Sequence, residues 1–201
     1  MSIKKIKLWT IQRKEVMDEI NNKGYYAPLV KNTMAYRYGK EFKEAYDFMS
    51  ENLLKKDKNK RRNKYPIWAF LHRESPANFG VDRDGFIEME LEISEDRLLL
   101  SDFSKYHCIL NNSYCPINDD EYEEYHKKYY GALDNYKLLP EYTEEEHQQV
   151  IKDSWVNIFD LSDSDKDDIQ ACFWKIEKDD IISVRDITEE EFRKEEDVNE
   201  I

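Results

Sequence analysis

The sequence predicts an α+β fold, one domain over residues 1–201 with a mixed or antiparallel core sheet and flanking helices. Three observations carry this. Residues 87–93 alternate strictly, with Ile87, Met89, Leu91 and Ile93 on one face and Glu88, Glu90 and Glu92 on the other, the pattern of a half-buried antiparallel strand. Phe42, Ala45, Tyr46, Met49 and Leu53 recur at helical spacing. Strand-like and helix-like segments follow one another without a regular βα alternation, which separates α+β from α/β.

Taken in order, residues 6–11 (IKLWTI) predict an opening strand, and residues 13–23 a short helix stopped by Gly24. Residues 40–55 form the second helix. The block at residues 55–64, KKDKNKRRNK, holds seven basic residues and one acid, so it is expected to be an exposed loop. Residues 65–71 (YPIWAFL) predict a buried strand with Pro66 at its start. Residues 75–85, with Pro76, Gly80 and Gly85, form a loop ahead of the alternating strand. A short strand at 97–100 then leads to a helix through Leu110, capped by Ser101 or Asp102.

Residues 119–130 are acidic, tyrosine-rich and helical, with Tyr122, Tyr125 and Tyr129 able to share one face. Thr143 and Glu146 have capping-box spacing for a helix carrying Val150, Ile151, Trp155, Ile158 and Phe159. An acidic linker at 160–168 precedes strands at 170–177 and 181–184. Thr188 with Glu191 suits the start of a last short helix.

Composition narrows the chemistry. Forty per cent hydrophobic residues are enough for a core, and the mean hydropathy of -0.91 reflects the 37% that are charged. Net charge is -13, but residues 1–100 hold 20 Lys/Arg against 16 Asp/Glu, whereas residues 101–201 hold 11 against 28. No apolar run is long enough to span a bilayer, and residues 1–5 show no signal-peptide pattern, so no membrane association and a cytoplasmic location are expected. The odd count of cysteines, Cys108, Cys115 and Cys172, suggests reduced thiols.

Several chemistries are excluded by motif. The five glycines are isolated, so no dinucleotide fingerprint or phosphate loop exists. No serine lies in a nucleophile elbow, and the four histidines lack zinc-site spacing. Asp163, Asp165 and Asp167 begin like a calcium loop, but Asp168 stands at the glycine position and Trp174 at the bidentate glutamate position. No metal is expected.

What remains is a set of polar residues beside aromatics at strand edges: Thr10, Gln12, Arg37, Asp102, Asn111 and Gln170, with Trp68, His72 and Arg73 near the middle strand. Each has a structural alternative. Thr10 suits a strand, Trp68 a core, Asp102 a cap, Asn111 a helix stop and Gln170 a strand edge.

Four ordered blocks, LWTIQ, YPIWAF, LLLSDF with ILN, and SWVNIFDL with IQACFWKI, resemble a family of uncharacterised bacterial proteins defined by a domain of unknown function. The opening strand and short helix ending at Gly24 also resemble ADP-ribosyltransferase-like folds. That second resemblance implies NAD as cofactor, Thr10 at the first-strand position and Gln170 at the position of the late-strand glutamate. Both depart from that pattern, and Gln170 lacks the charge that stabilises an oxocarbenium-like transition state. On this reading Thr10 and Gln170 are the catalytic candidates, and Thr10, Gln12, Arg37 and Gln170 surround the nucleotide, with Arg37 on the pyrophosphate.

Three functions follow. The first is an ADP-ribosyltransferase-like enzyme or NAD-binding relative, favoured by the polar strand-edge residues. The second is a non-catalytic binding or inhibitor protein turning its acidic C-terminal half to a basic protein partner, favoured by the missing acid at position 170. The third is a nucleic-acid-associated protein using residues 55–64.

Overall fold

The computed structural model describes residues 4–29, 40–58, 65–73, 85–132 and 136–187. The chain divides into two compact units, the first Met1–Leu100 with Asp165–Ile201 and the second Ser101–Ser164. The α+β class holds, and the sheet is antiparallel at each of its registered pairings.

In the first unit β1 (Lys5–Arg13) is followed by α1 (Glu15–Lys23) and the two-residue β2 (Tyr25–Tyr26). Helix α2 (Lys40–Lys56) precedes β3 (Ile67–Phe70) and β4 (Phe86–Ser94). The chain passes towards the second unit in β5 (Leu99–Asp102) and returns through β6 (Ile169–Phe173), β7 (Ile176–Glu177) and β8 (Ile181–Asp186). Six strands form one sheet in the order β5-β6-β3-β1-β4-β8, and β2 pairs with β7.

The predicted alternation in β4 is realised against β1, which pairs with it from Lys5↔Ser94 to Arg13↔Phe86. Ile87, Met89, Leu91 and Ile93 are buried and pack with Leu8, Val16, Ile20, Ala69, Ala171 and Phe173. The opposite face is less exposed than the sequence implies. Glu88 is buried, because Arg73 donates to it at 2.9 Å and the Arg185 guanidinium also closes on it.

The predicted stripe on α2 is realised too. Ala45, Tyr46, Met49 and Leu53 are buried, and Phe42 packs in a cluster with Tyr46, Tyr65 and Trp68. The helix runs on through Lys56, so it takes up the first two residues of the basic block; residues 59–64 lie outside the described residues, as do Thr188 and Glu191. Residue Arg97, expected in a strand, instead ends the 3-10 turn Glu95–Arg97. Trp174 is buried and its indole donates to the Asp57 carbonyl at 3.1 Å, whereas Trp68 is partly buried.

Gly24 closes α1 with φ +82° and its N–H on the Ile20 carbonyl at 2.8 Å. A Cβ there meets no atom within 4 Å. The cost of Gly24→Ala is therefore backbone strain alone, and urea unfolding should show a loss of about 1 kcal/mol.

The second unit is helical. Asp102 caps α3 (Phe103–Leu110), its Oδ1 accepting from the Lys105 N–H at 2.7 Å. Asn118 caps α4 (Asp119–Tyr130), accepting from the Glu121 N–H at 2.9 Å. The Thr143–Glu146 capping box opens α5 (Glu144–Ser154), after which the chain tightens into a 3-10 turn, Trp155–Phe159.

Candidate functional site

The strand-edge residues do not converge. The Thr10 hydroxyl donates to the Trp68 carbonyl at 2.7 Å, and the Gln12 amide donates to Thr10 Oγ1 at 2.8 Å, so these two meet. Gln170 is buried but lies on the other face of the sheet. It is registered with Phe70, and Phe70 with Trp9, the residue before Thr10. Successive strand residues point to opposite faces, so the pleat separates Gln170 from Thr10. The resemblance places them in one cleft; the alternation corrects that placement. Arg37 lies outside the described residues. Asp102 acts as the helix cap, with Ser164 donating to its second oxygen at 2.6 Å, and Asn111 stands at the end of α3.

A cavity of about 620 Å³ opens instead within the second unit. Its walls are chiefly aromatic: Tyr114, Tyr122, Tyr125, Tyr130 and Tyr136, with His126 and His147 between them. Helix α4 supplies Tyr122, Tyr125, His126 and Tyr130, while α5 supplies His147. The predicted tyrosine face of α4 is buried at Tyr125 and Tyr129 and left partly exposed at Tyr122.

Tyr125 organises the wall. Its ring stacks on Tyr114 with centroids 3.9 Å apart and planes 6° from parallel. Its hydroxyl lies 2.6 Å from His147 Nε2, and that of Tyr130 lies 3.2 Å from the same nitrogen. Burial first, and the hydrogen bond with Tyr130 second, push the Tyr125 phenol up. Burial pulls His147 down, against the opposing charge of Glu144. The two groups are thus driven apart, and the proton stays on tyrosine. Tyr125 and His147 thus share a hydrogen bond between two neutral groups, an arrangement that orients rings rather than transferring protons.

His126 is 6 % exposed, with its ring 4.4 Å from that of Tyr122 and 5.1 Å from that of Tyr130. Its Nδ1 is buried without a hydrogen-bond partner. Burial lowers its pKa, so this imidazole is also neutral at pH 7.

The remaining lining mixes apolar Pro116, Leu138 and Ile151 with polar groups, and among the described residues it includes no Lys or Arg. Asn112 donates to Gln148 at 2.9 Å, and Glu144 contributes a carboxylate. Between residues 101 and 164 there are 14 Asp/Glu and five Lys. Among the described residues no cluster of three or more His, Cys, Asp or Glu could hold a metal ion, and no helix is long and apolar enough to cross a membrane.

Sequence reasoning misses this site because the residues are spread over three helices and the loops between them without a motif. One signal was present: eight of the chain's 14 tyrosines fall between residues 101 and 164.

Fold and cavity together define an α+β chain with an aromatic, histidine-containing cavity in its helical unit. Residues 7–182 match the family described as a domain of unknown function, DUF3841, and the chain belongs to that family. A search of curated proteins and a search of solved structures give no match.

Proposed function

We propose that the protein is a binding protein whose helical unit takes a small organic cation in the tyrosine–histidine cavity. One observation supports this reading above others: among the described residues five tyrosines, two neutral histidines and one carboxylate line the cavity, with no lysine or arginine. Tyrosine faces attract a cation through their quadrupole, by about 0.5–2 kcal/mol depending on desolvation. Neutral histidines add no repulsion, and the excess of acids in the unit raises the local concentration of positive ligands. The same charge disfavours a pyrophosphate.

Calorimetry with an aryl-trimethylammonium compound, its neutral tert-butyl isostere and NAD tests this. The cation should bind about tenfold or more tightly than the isostere, as expected for ~1.4 kcal/mol of cation–π attraction. Tyr130→Ala should weaken the cation more than the isostere. Equal binding of cation and isostere would refute the reading. Binding of NAD, weakened by Arg37→Ala, would support the ADP-ribosyltransferase-like alternative instead.

A further inference from the structure

The same unit holds two cysteines that the cation-binding reading does not use. Cys108 lies near the end of α3, half-buried, and lines the cavity. Beyond Leu110 the chain reverses through Asn112, whose φ of +49° is left-handed. Ser113 then closes the turn, its N–H and hydroxyl both donating to the Cys108 carbonyl at 2.8 and 3.1 Å. Two residues later Cys115 is fully buried. Its N–H donates to Ser154 Oγ at 2.8 Å, and its carbonyl accepts from Asn157 at 2.8 Å. Trp155 donates to the Ser113 carbonyl at 3.2 Å, so the end of α5 pins the whole return loop. The result lays Cys115 back against α3, its Sγ 3.9 Å from the carbonyl of Lys105, three residues before Cys108.

We propose that Cys108 and Cys115 form a peroxide-reactive thiol pair, Cys108 attacking the peroxide from the cavity wall and Cys115 resolving the product as an internal disulfide. The Cys108 thiolate attacks one peroxide oxygen, the O–O bond breaks, and the leaving hydroxide takes up a proton to become water. The sulfur, now a sulfenic acid, is oxidised by two electrons and the peroxide reduced by two. The Cys115 thiol then loses its proton and attacks that sulfur. An S–S bond forms, the S–O bond breaks, and the departing hydroxide leaves as a second water. The sum is two thiols and hydrogen peroxide giving a disulfide and two waters.

Three features of the site suit this order of events. The neighbouring Cys115 thiol draws the Cys108 thiol down; burial opposes it and Ser113 adds to it. The shift favours the thiolate, the form that attacks a peroxide. Cys115 is held protonated first by the neighbouring Cys108 thiol and second by burial, so oxidation of Cys108 removes the leading restraint on its partner. Cys172, in β6 of the first unit, is fully buried and its thiol is pushed up by that burial, which makes it an internal control. In a reducing compartment such a disulfide is transient, the usual form of intracellular thiol oxidation.

The test treats the reduced full-length chain with stoichiometric hydrogen peroxide, followed by intact mass and chymotryptic mapping. The expected result is the loss of two hydrogens, one free thiol remaining at Cys172, and the Cys108 and Cys115 fragments joined. Cys115→Ser should stop at a sulfenic acid on Cys108, trapped by a dimedone probe, and Cys108→Ser should give neither product. Mapping of the unsubstituted chain decides the matter even where a variant folds poorly. Three free thiols after peroxide, or a disulfide that includes Cys172, would overturn the proposal.

Discussion

Arg97→Ala should destabilise the chain by about 3 kcal/mol, the lower end for removing one partner of a buried ion pair. The Arg97 guanidinium meets both oxygens of Asp180, at 2.7 and 2.9 Å, and donates to the Lys175 carbonyl at 3.0 Å. It thereby joins the turn after β4 to the turns on either side of β7, segments about 80 residues apart in sequence. Asp180 is 6 % exposed, and it also accepts from the Glu177 N–H at 2.7 Å. Without Arg97 its charge stays buried with no cation, and that leftover charge is the main cost. Replacing Arg97 and Asp180 together by apolar residues of similar volume should recover much of the loss in urea unfolding. If the double variant is as unstable as Arg97→Ala, packing rather than charge explains the site.

That pair also marks the limit of what the sequence discloses. Local periodicity is carried by neighbouring residues, so the β4 alternation, the α2 stripe, the Gly24 stop and the Thr143 capping box were all legible. Spacing alone assigns Arg97 to a strand, because its partners lie far along the chain, where no spacing rule reaches. Alternation alone turns Glu88 to solvent for the same reason: Arg73 and Arg185, which bury it, come from two other segments. The strand-edge polar residues failed differently. Whether Thr10 and Gln170 share a face depends on a register through β3, and a shift of one residue reverses the answer. The tyrosine–histidine cavity required three helices to be placed before any of its residues became neighbours. Only the concentration of tyrosines hinted at it.

Tyr125→Ala should cost about 3–5 kcal/mol, the range for truncating a buried aromatic residue, and should abolish cation binding. Three losses coincide at this position. The stacked partner of Tyr114 disappears, the α4 wall of the cavity opens, and His147, only 4 % exposed, loses its shortest hydrogen bond. Tyr125→Phe separates these effects. The ring and its stacking remain, and only the hydroxyl is removed. His147 Nε2 then depends on Tyr130, whose hydroxyl lies 3.2 Å away. The phenylalanine variant should lose about 1 kcal/mol, the net contribution of one hydrogen bond, and keep most of its affinity for the aryl-trimethylammonium probe. Cation–π attraction depends on the ring face, which phenylalanine also offers. Urea unfolding and calorimetry on the two variants give the comparison. If Tyr125→Phe loses binding as completely as Tyr125→Ala, the hydroxyl–imidazole contact and not the aromatic wall carries recognition, and the ligand must be sought among hydrogen-bonding molecules rather than cations.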